Sequence, residues 1–148
     1  MKKLGRKIGL VILVLLGLLG IIQLVPYGRQ HTNPPVLSEP QWDSSDTRIL
    51  AQRACFDCHS NEVIWPWYSS IAPGSWLIQH DVEEGRSKLN FSEWQQGGNE
   101  NFDEIQEVLM AGEMPPIQYL LLHPVARLTE AEKKQFLQGL QNSIGAGR

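Results

Sequence analysis

The feature that most limits how this chain can fold is the run Ile8 to Val25, IGLVILVLLGLLGIIQLV, which holds no charged residue. At about 1.5 Å per residue, those positions make a helix of roughly 27 Å, close to the thickness of a bilayer's hydrocarbon layer. A helix buried in a protein core would show a polar face, and this run shows none. Lys2, Lys3, Arg6 and Lys7 precede it. Basic residues stay on the cytoplasmic side, so the rest of the chain is expected outside. No small-x-small cleavage site follows the run, so residues 1–25 are read as an uncleaved signal anchor. The expected location is the inner membrane of a bacterium, crossed once, with the remaining residues on the periplasmic side.

Residues 26–41, PYGRQHTNPPVLSEPQ, are rich in proline and lack periodicity, and read as a linker. Residues 42–148 then form one domain, expected to be all-α. Four stretches carry helical signals. DSSDTRILAQRAC starts with cap candidates and places Ile49, Leu50, Arg53 and Ala54 at helical spacing. APGSWLIQHDVEEGRSKL has Ser75 as a cap candidate and runs to about Leu89. NFDEIQEVLMAG sets Phe102, Ile105 and Leu109 on one side and stops at Gly112. TEAEKKQFLQGL carries a capping box, Thr129 with Glu132, and a Phe136, Leu140, Ile144 stripe. No alternating strand pattern appears.

Beyond the anchor, nine Lys/Arg stand against sixteen Asp/Glu, a net charge of −7. That argues against nucleic acid as a partner. The chain has two cysteines, Cys55 and Cys58, and His59 follows directly. Three chemistries use such a stretch. A dithiol redox site lowers the pKa of one thiol. Zinc needs four ligands, usually from two such pairs, and there is no second pair here. Covalent haem needs C-x-x-C-H, with two thioethers and a histidine placed for iron. Cysteines at i and i+3 of a helical turn fall on one side and can straddle a porphyrin edge. An exported domain favours the haem reading, with one haem c held through Cys55 and Cys58 and His59 on the iron.

Candidates for a sixth ligand are few. Met114 lies 55 positions after His59 in GEMPP, where Gly112 ends a helix and Pro115-Pro116 block a new one around it. That suits a thioether presented from a rigid loop. His80 is the alternative, as His/His ligation is also common. Met110 reads as core filler, His123 as a hydrogen-bonding residue near a helix end, and His31 as part of the linker.

From Ile49 to Leu140 the sequence resembles the bacterial haem-binding domain family of small, membrane-anchored, cytochrome c-like proteins. The matching pieces are Cys55-x-x-Cys58-His59-Ser60, Trp65-Pro66-Trp67-Tyr68, Ser75-Trp76, His80, Gly85-Arg86, Leu89-Asn90-Phe91-Ser92-Glu93-Trp94, Met114-Pro115, Tyr119, His123 and Leu128-Thr129. Gly74 departs from the Val or Ala expected there and should loosen the start of its helix. The resemblance implies one covalent haem c in a small helical domain. Around a haem, Trp65, Trp67, Tyr68, Trp76 and Trp94 offer flat apolar surface and donors for a propionate, and Arg86 is a candidate propionate partner.

Two functions compete. One is a periplasmic mono-haem c-type cytochrome that transfers single electrons to an unidentified redox partner protein. The other is a sensor or accessory domain that binds a small gas or peroxide through a displaceable sixth ligand. No nucleophile-base motif or phosphate loop appears, so no enzyme activity is expected.

Overall fold

The computed structural model describes residues 2–94 and 102–145. Helix α1, Lys2–Ile22, takes up the apolar run as far as Ile22 and ends three residues short of Val25. Of the helices among the described residues, its stretch Lys3–Ile22 is long and apolar enough to cross a membrane, and the rest of the chain buries none of it. Six further helices follow: α2 (Ser45–Ala54), α3 (Phe56–His59), α4 (Gly74–Lys88), α5 (Phe102–Ala111), α6 (Ile117–Leu122) and α7 (Glu130–Gly145). Two 3-10 turns, Trp67–Ser70 and Pro124–Ala126, complete the regular structure. No strand forms among the described residues, only an isolated bridge between Ser38 and Glu93. The protein is all-α, as its patterning predicts.

The chain divides into two compact units, Met1–Thr32 with Trp65–Asp81, and Asn33–Ile64 with Val82–Arg148. In the first, the chain turns back after α1. Gly28 makes the turn at φ +77°, and its Cα lies so close to the Ser75 carbonyl that a Cβ would sit 2.1 Å from that oxygen. Only glycine fits both demands. The Gln23 side chain donates to the Ala72 carbonyl at 2.8 Å and accepts from the Ala72 amide at 3.0 Å. His31, expected in a linker, instead stacks on Trp65 at 4.5 Å and bonds to the Ser69 carbonyl at 3.1 Å.

In the second unit, α2 starts at Ser44, whose hydroxyl accepts from the Thr47 amide at 3.3 Å. Its Leu50, Ala51 and Ala54 are buried against Phe136, Leu137 and Leu140 of α7 in one core cluster. Ile49 is not part of that stripe and is 56% exposed. The α7 backbone at Gly139 packs against the Thr47 side chain of α2, with room for no Cβ. The predicted capping box of α7 forms in both directions. Glu132 accepts from the Thr129 amide at 2.8 Å, and the Thr129 hydroxyl accepts from the Glu132 amide at 3.2 Å. Phe56 and Phe91 add aromatic bulk, with Trp42 and Trp94 tilted or stacked on Phe91 at 5.6 Å.

Three local expectations change. The residues 33–41, inside the stretch expected as a linker, are tied down. Leu37 and Ser38 donate to the Ser92 carbonyl at 2.9 and 3.1 Å, and Asn33 donates to the Val63 carbonyl at 2.9 Å. Ser75 does not cap α4, which begins one residue earlier at Gly74; its hydroxyl is buried without a partner. Pro73 opens the helix instead, its carbonyl accepting from Trp76 at 3.1 Å. Pro115-Pro116 keep Met114 out of a helix, yet they also start one, since α6 begins directly after Pro116. A proline lacks only a donor that the first turn leaves unused.

Candidate haem-binding site

The cysteine motif sits where α2 ends. Cys55 closes α2 by donating to Ala51 at 2.8 Å, and its own carbonyl then accepts from Cys58 at 3.1 Å and His59 at 2.9 Å. Those two bonds make the single turn α3. Cys55 and Cys58 therefore stand one turn apart, on the same side, and no disulfide joins them. Burial pushes the Cys55 thiol up to about 12, with the neighbouring Cys58 adding to the shift. A dithiol redox site works through a thiolate of lowered pKa. Cys55 is shifted the opposite way. Among the described residues, no group of three or more His, Cys, Asp or Glu side chains gathers into a metal-ion site.

His59 is held from one edge. Its Nδ1 lies 3.0 Å from the Gly85 carbonyl and 3.1 Å from the Leu89 carbonyl. A carbonyl can only accept, so Nδ1 carries the proton and Nε2 keeps its lone pair. Burial lowers the His59 pKa, against a smaller opposing pull from those two carbonyls. The neutral, singly oriented imidazole that results is the form that ligates metal. Its acceptors come from the last turn of α4. Gly85 allows that turn to approach, because a Cβ there would meet the Cys58 carbonyl oxygen at 2.5 Å.

The chain beyond His59 is locked as well. Phe91 donates to the His59 carbonyl at 2.8 Å, and the Asn61 amide donates to the Ser92 hydroxyl at 2.9 Å. The Asn61 side chain donates to Glu93 at 2.9 Å and to the Pro35 carbonyl at 3.0 Å. Arg86 donates through Nε to the Ser60 carbonyl at 2.8 Å, and burial lowers its pKa. The guanidinium thus braces the loop after His59.

One tie was not read from the sequence. Asp57, between the two cysteines, accepts from the Tyr119 hydroxyl at 2.6 Å and from the Ile64 amide at 3.0 Å. Tyr119 belongs to α6, and His123 stacks on it at 4.1 Å. The residue between the cysteines looks arbitrary in C-x-x-C-H, and a carboxylate there was the available signal.

The remaining candidates fall in different places. Met114 lies between α5 and α6, in the same unit as His59, and is 41% exposed. Gly112, at φ +75°, ends α5 just before it. Met110, expected in the core, is exposed. A short helix that ends at Ala111 cannot bury every apolar side chain against one neighbour. His80 is exposed on the part of α4 that belongs to the other unit. Trp65, Trp67, Tyr68 and Trp76 are in that unit too. The indole nitrogens of Trp65 and Trp76 are buried without a protein partner, and Trp67 is open to solvent. Trp94 is partly buried against the core and stacks on Phe91.

This donor set fits haem: two unbridged thiols on one side of a turn, then an imidazole whose Nε2 is bare. A family profile described as a haem-binding domain matches residues 17–142. The chain belongs to the haem-binding domain family. No curated protein matches it, and no solved structure does. The match covers α2 to α6, most of α7 and the end of α1. The match thus includes residues of both units, and the Cys55–His59 turn lies within it.

Proposed function

We propose that this haem-binding domain is a membrane-anchored, periplasmic, mono-haem c-type cytochrome that transfers single electrons and catalyses no reaction. The observation that carries the reading is the pair of carbonyls, Gly85 and Leu89, on His59 Nδ1. They leave Nε2 as the nitrogen that would hold the haem iron, and make the imidazole a better electron donor. The thiols of Cys55 and Cys58 would hold the haem as thioethers. Bound in this way, haem supplies a one-electron iron couple. Its potential follows from the axial ligands, burial and hydrogen bonding.

Met114 is the proposed sixth ligand, with His80 the alternative. The loop between Gly112 and α6 presents Met114 outside any helix, in the unit that holds His59. A thioether is a soft ligand that favours the ferrous state and raises the potential. Helix α1 supplies the single membrane crossing of the bacterial inner membrane, and the basic residues before it favour a periplasmic haem. The exposure of Met114 gives some support to a second reading, a gas or peroxide sensor with a displaceable ligand.

Haem staining after denaturing electrophoresis tests the attachment. The stain should stay with the wild-type chain and be lost from the Cys55→Ala, Cys58→Ala double variant. Haem extracted from the wild type by acid and organic solvent would refute covalent attachment. Carbon monoxide added to the ferrous protein separates the two functions: slow or no binding supports electron transfer, and ready binding supports the sensor.

A further inference from the structure

The first unit carries an uncharged, apolar surface. From Trp65 to Gln79 the chain reads WPWYSSIAPGSWLIQ, without one Asp, Glu, Lys, Arg or His. Three of the five tryptophans of the protein are in it. Several of its large apolar side chains face outward: Trp67 is 78% exposed, Leu77 51% and Ile71 45%. Surface apolar groups in such number, on a segment free of charge, mark a contact with something apolar.

The position of the segment says what that is. Gln23, one residue past the end of α1, holds both backbone groups of Ala72. Ile71 and Pro73 therefore lie within a side chain's length of the point where α1 ends. Gly28 packs against Ser75 in the same unit. Arg29, the one Arg or Lys of the unit beyond α1, folds back onto the Gln23 carbonyl and side chain. The segment is thus fastened to the end of the proposed membrane helix, at the level where a bilayer passes from acyl chains to headgroups. Indole and phenol rings favour that level, since each has an apolar body and a polar edge. A protein partner for an acidic cytochrome would be expected to meet charged groups, and this segment has none to offer.

We propose that Trp67, Ile71 and Leu77 insert into the interfacial layer of the bilayer that α1 crosses, so that the domain stands on the membrane by a second, aromatic contact. This rests on the membrane-anchor reading above. Trp67, read from the sequence as a haem contact, becomes a lipid contact.

The test uses the full haem-loaded chain in nanodiscs of phosphatidylcholine and phosphatidylglycerol, doped with a lipid that carries a photoreactive diazirine near the headgroup. Mass spectrometry of the illuminated protein maps the adducts. Adducts are expected on the peptide holding residues 65–77 as well as on residues 8–25. The Trp67→Ser, Ile71→Ser double variant should lose most of the adducts on 65–77, keep those on α1 and keep its Soret band. Trp67→Ser alone should lose part of them. Adducts on α1 with none on 65–77 in the wild type would overturn the proposal and leave the anchor standing. Adducts on neither would overturn both. A changed Soret band in Trp67→Ser, with adducts unchanged, would return Trp67 to the haem.

Discussion

Gly85 allows the site's geometry to be tested by one methyl group. Two effects of Gly85→Ala oppose each other. In the last turn of α4, alanine is favoured over glycine by at most about 1 kcal/mol. Against that, the new Cβ would lie 2.5 Å from the Cys58 carbonyl oxygen, 3.0 Å from its carbon and 3.2 Å from its Cβ. Two of those three atoms are backbone, in a turn already closed by hydrogen bonds, so they cannot swing aside. Overpacking of this kind costs about 1–3 kcal/mol, and a contact to fixed backbone belongs in the upper half of that range. The clash therefore wins by about 1–2 kcal/mol. For a domain near 100 residues, that is a fall in Tm of roughly 5–15 °C. Far-UV circular dichroism of the haem-loaded protein in detergent, scanned with temperature, reads it directly. The Soret band should shift too, because the Gly85 carbonyl accepts from His59 Nδ1. A Tm that rises, as helix propensity alone would have it, would refute the close approach of α4 to the cysteine turn.

The other predictions concern separate elements. Tyr119→Phe removes the 2.6 Å bond to Asp57 and should cost about 1 kcal/mol, while raising the rate of carbon monoxide binding because α6 directly follows the Met114 loop. Met114→Ala should abolish the weak near-infrared sulfur-to-iron band of the ferric protein, whereas His80→Ala should leave it; the reverse result would make the haem His/His. The Glu132 carboxyl is held down at about 2, below its ordinary 4.5, by the Thr129 amide first and then by Arg53 and the Thr129 hydroxyl. A depressed carboxyl stabilises the fold above the unfolded value, so that part is intact above pH 4.5 and fades as pH falls toward 2. Acid titration of Tm should show Glu132→Gln less stable than wild type at neutral pH, with the gap closing over that window; parallel curves would refute the capping box as its source.

Much of the fold was legible because it depends on neighbours in sequence. The apolar run, the stop at Gly112, the box of Thr129 with Glu132 and the apolar spacing of α5 and α7 are all local and appear as read, except that the first helix ends at Ile22, three residues short of Val25. The cysteine turn is local as well, and C-x-x-C-H by itself limits the chemistry to a few choices. What could not be read depends on residues far apart in the chain. Nothing in HSNEVI says that the His59 ring will find the Gly85 and Leu89 carbonyls, 26 and 30 positions on. Asp57 looks like any solvated carboxylate until α6 brings Tyr119 to it from 62 positions away. The linker looked free because its prolines break helices, and prolines say nothing about whether a segment packs. The helix after Pro116 was missed for a related reason, since proline blocks a helix behind it and starts one ahead. Local propensity and spacing settle which turns form, as their hydrogen bonds close within a few residues. The tautomer of His59 and the anchoring of α6 were decided only when chain folding brought distant donors to their acceptors.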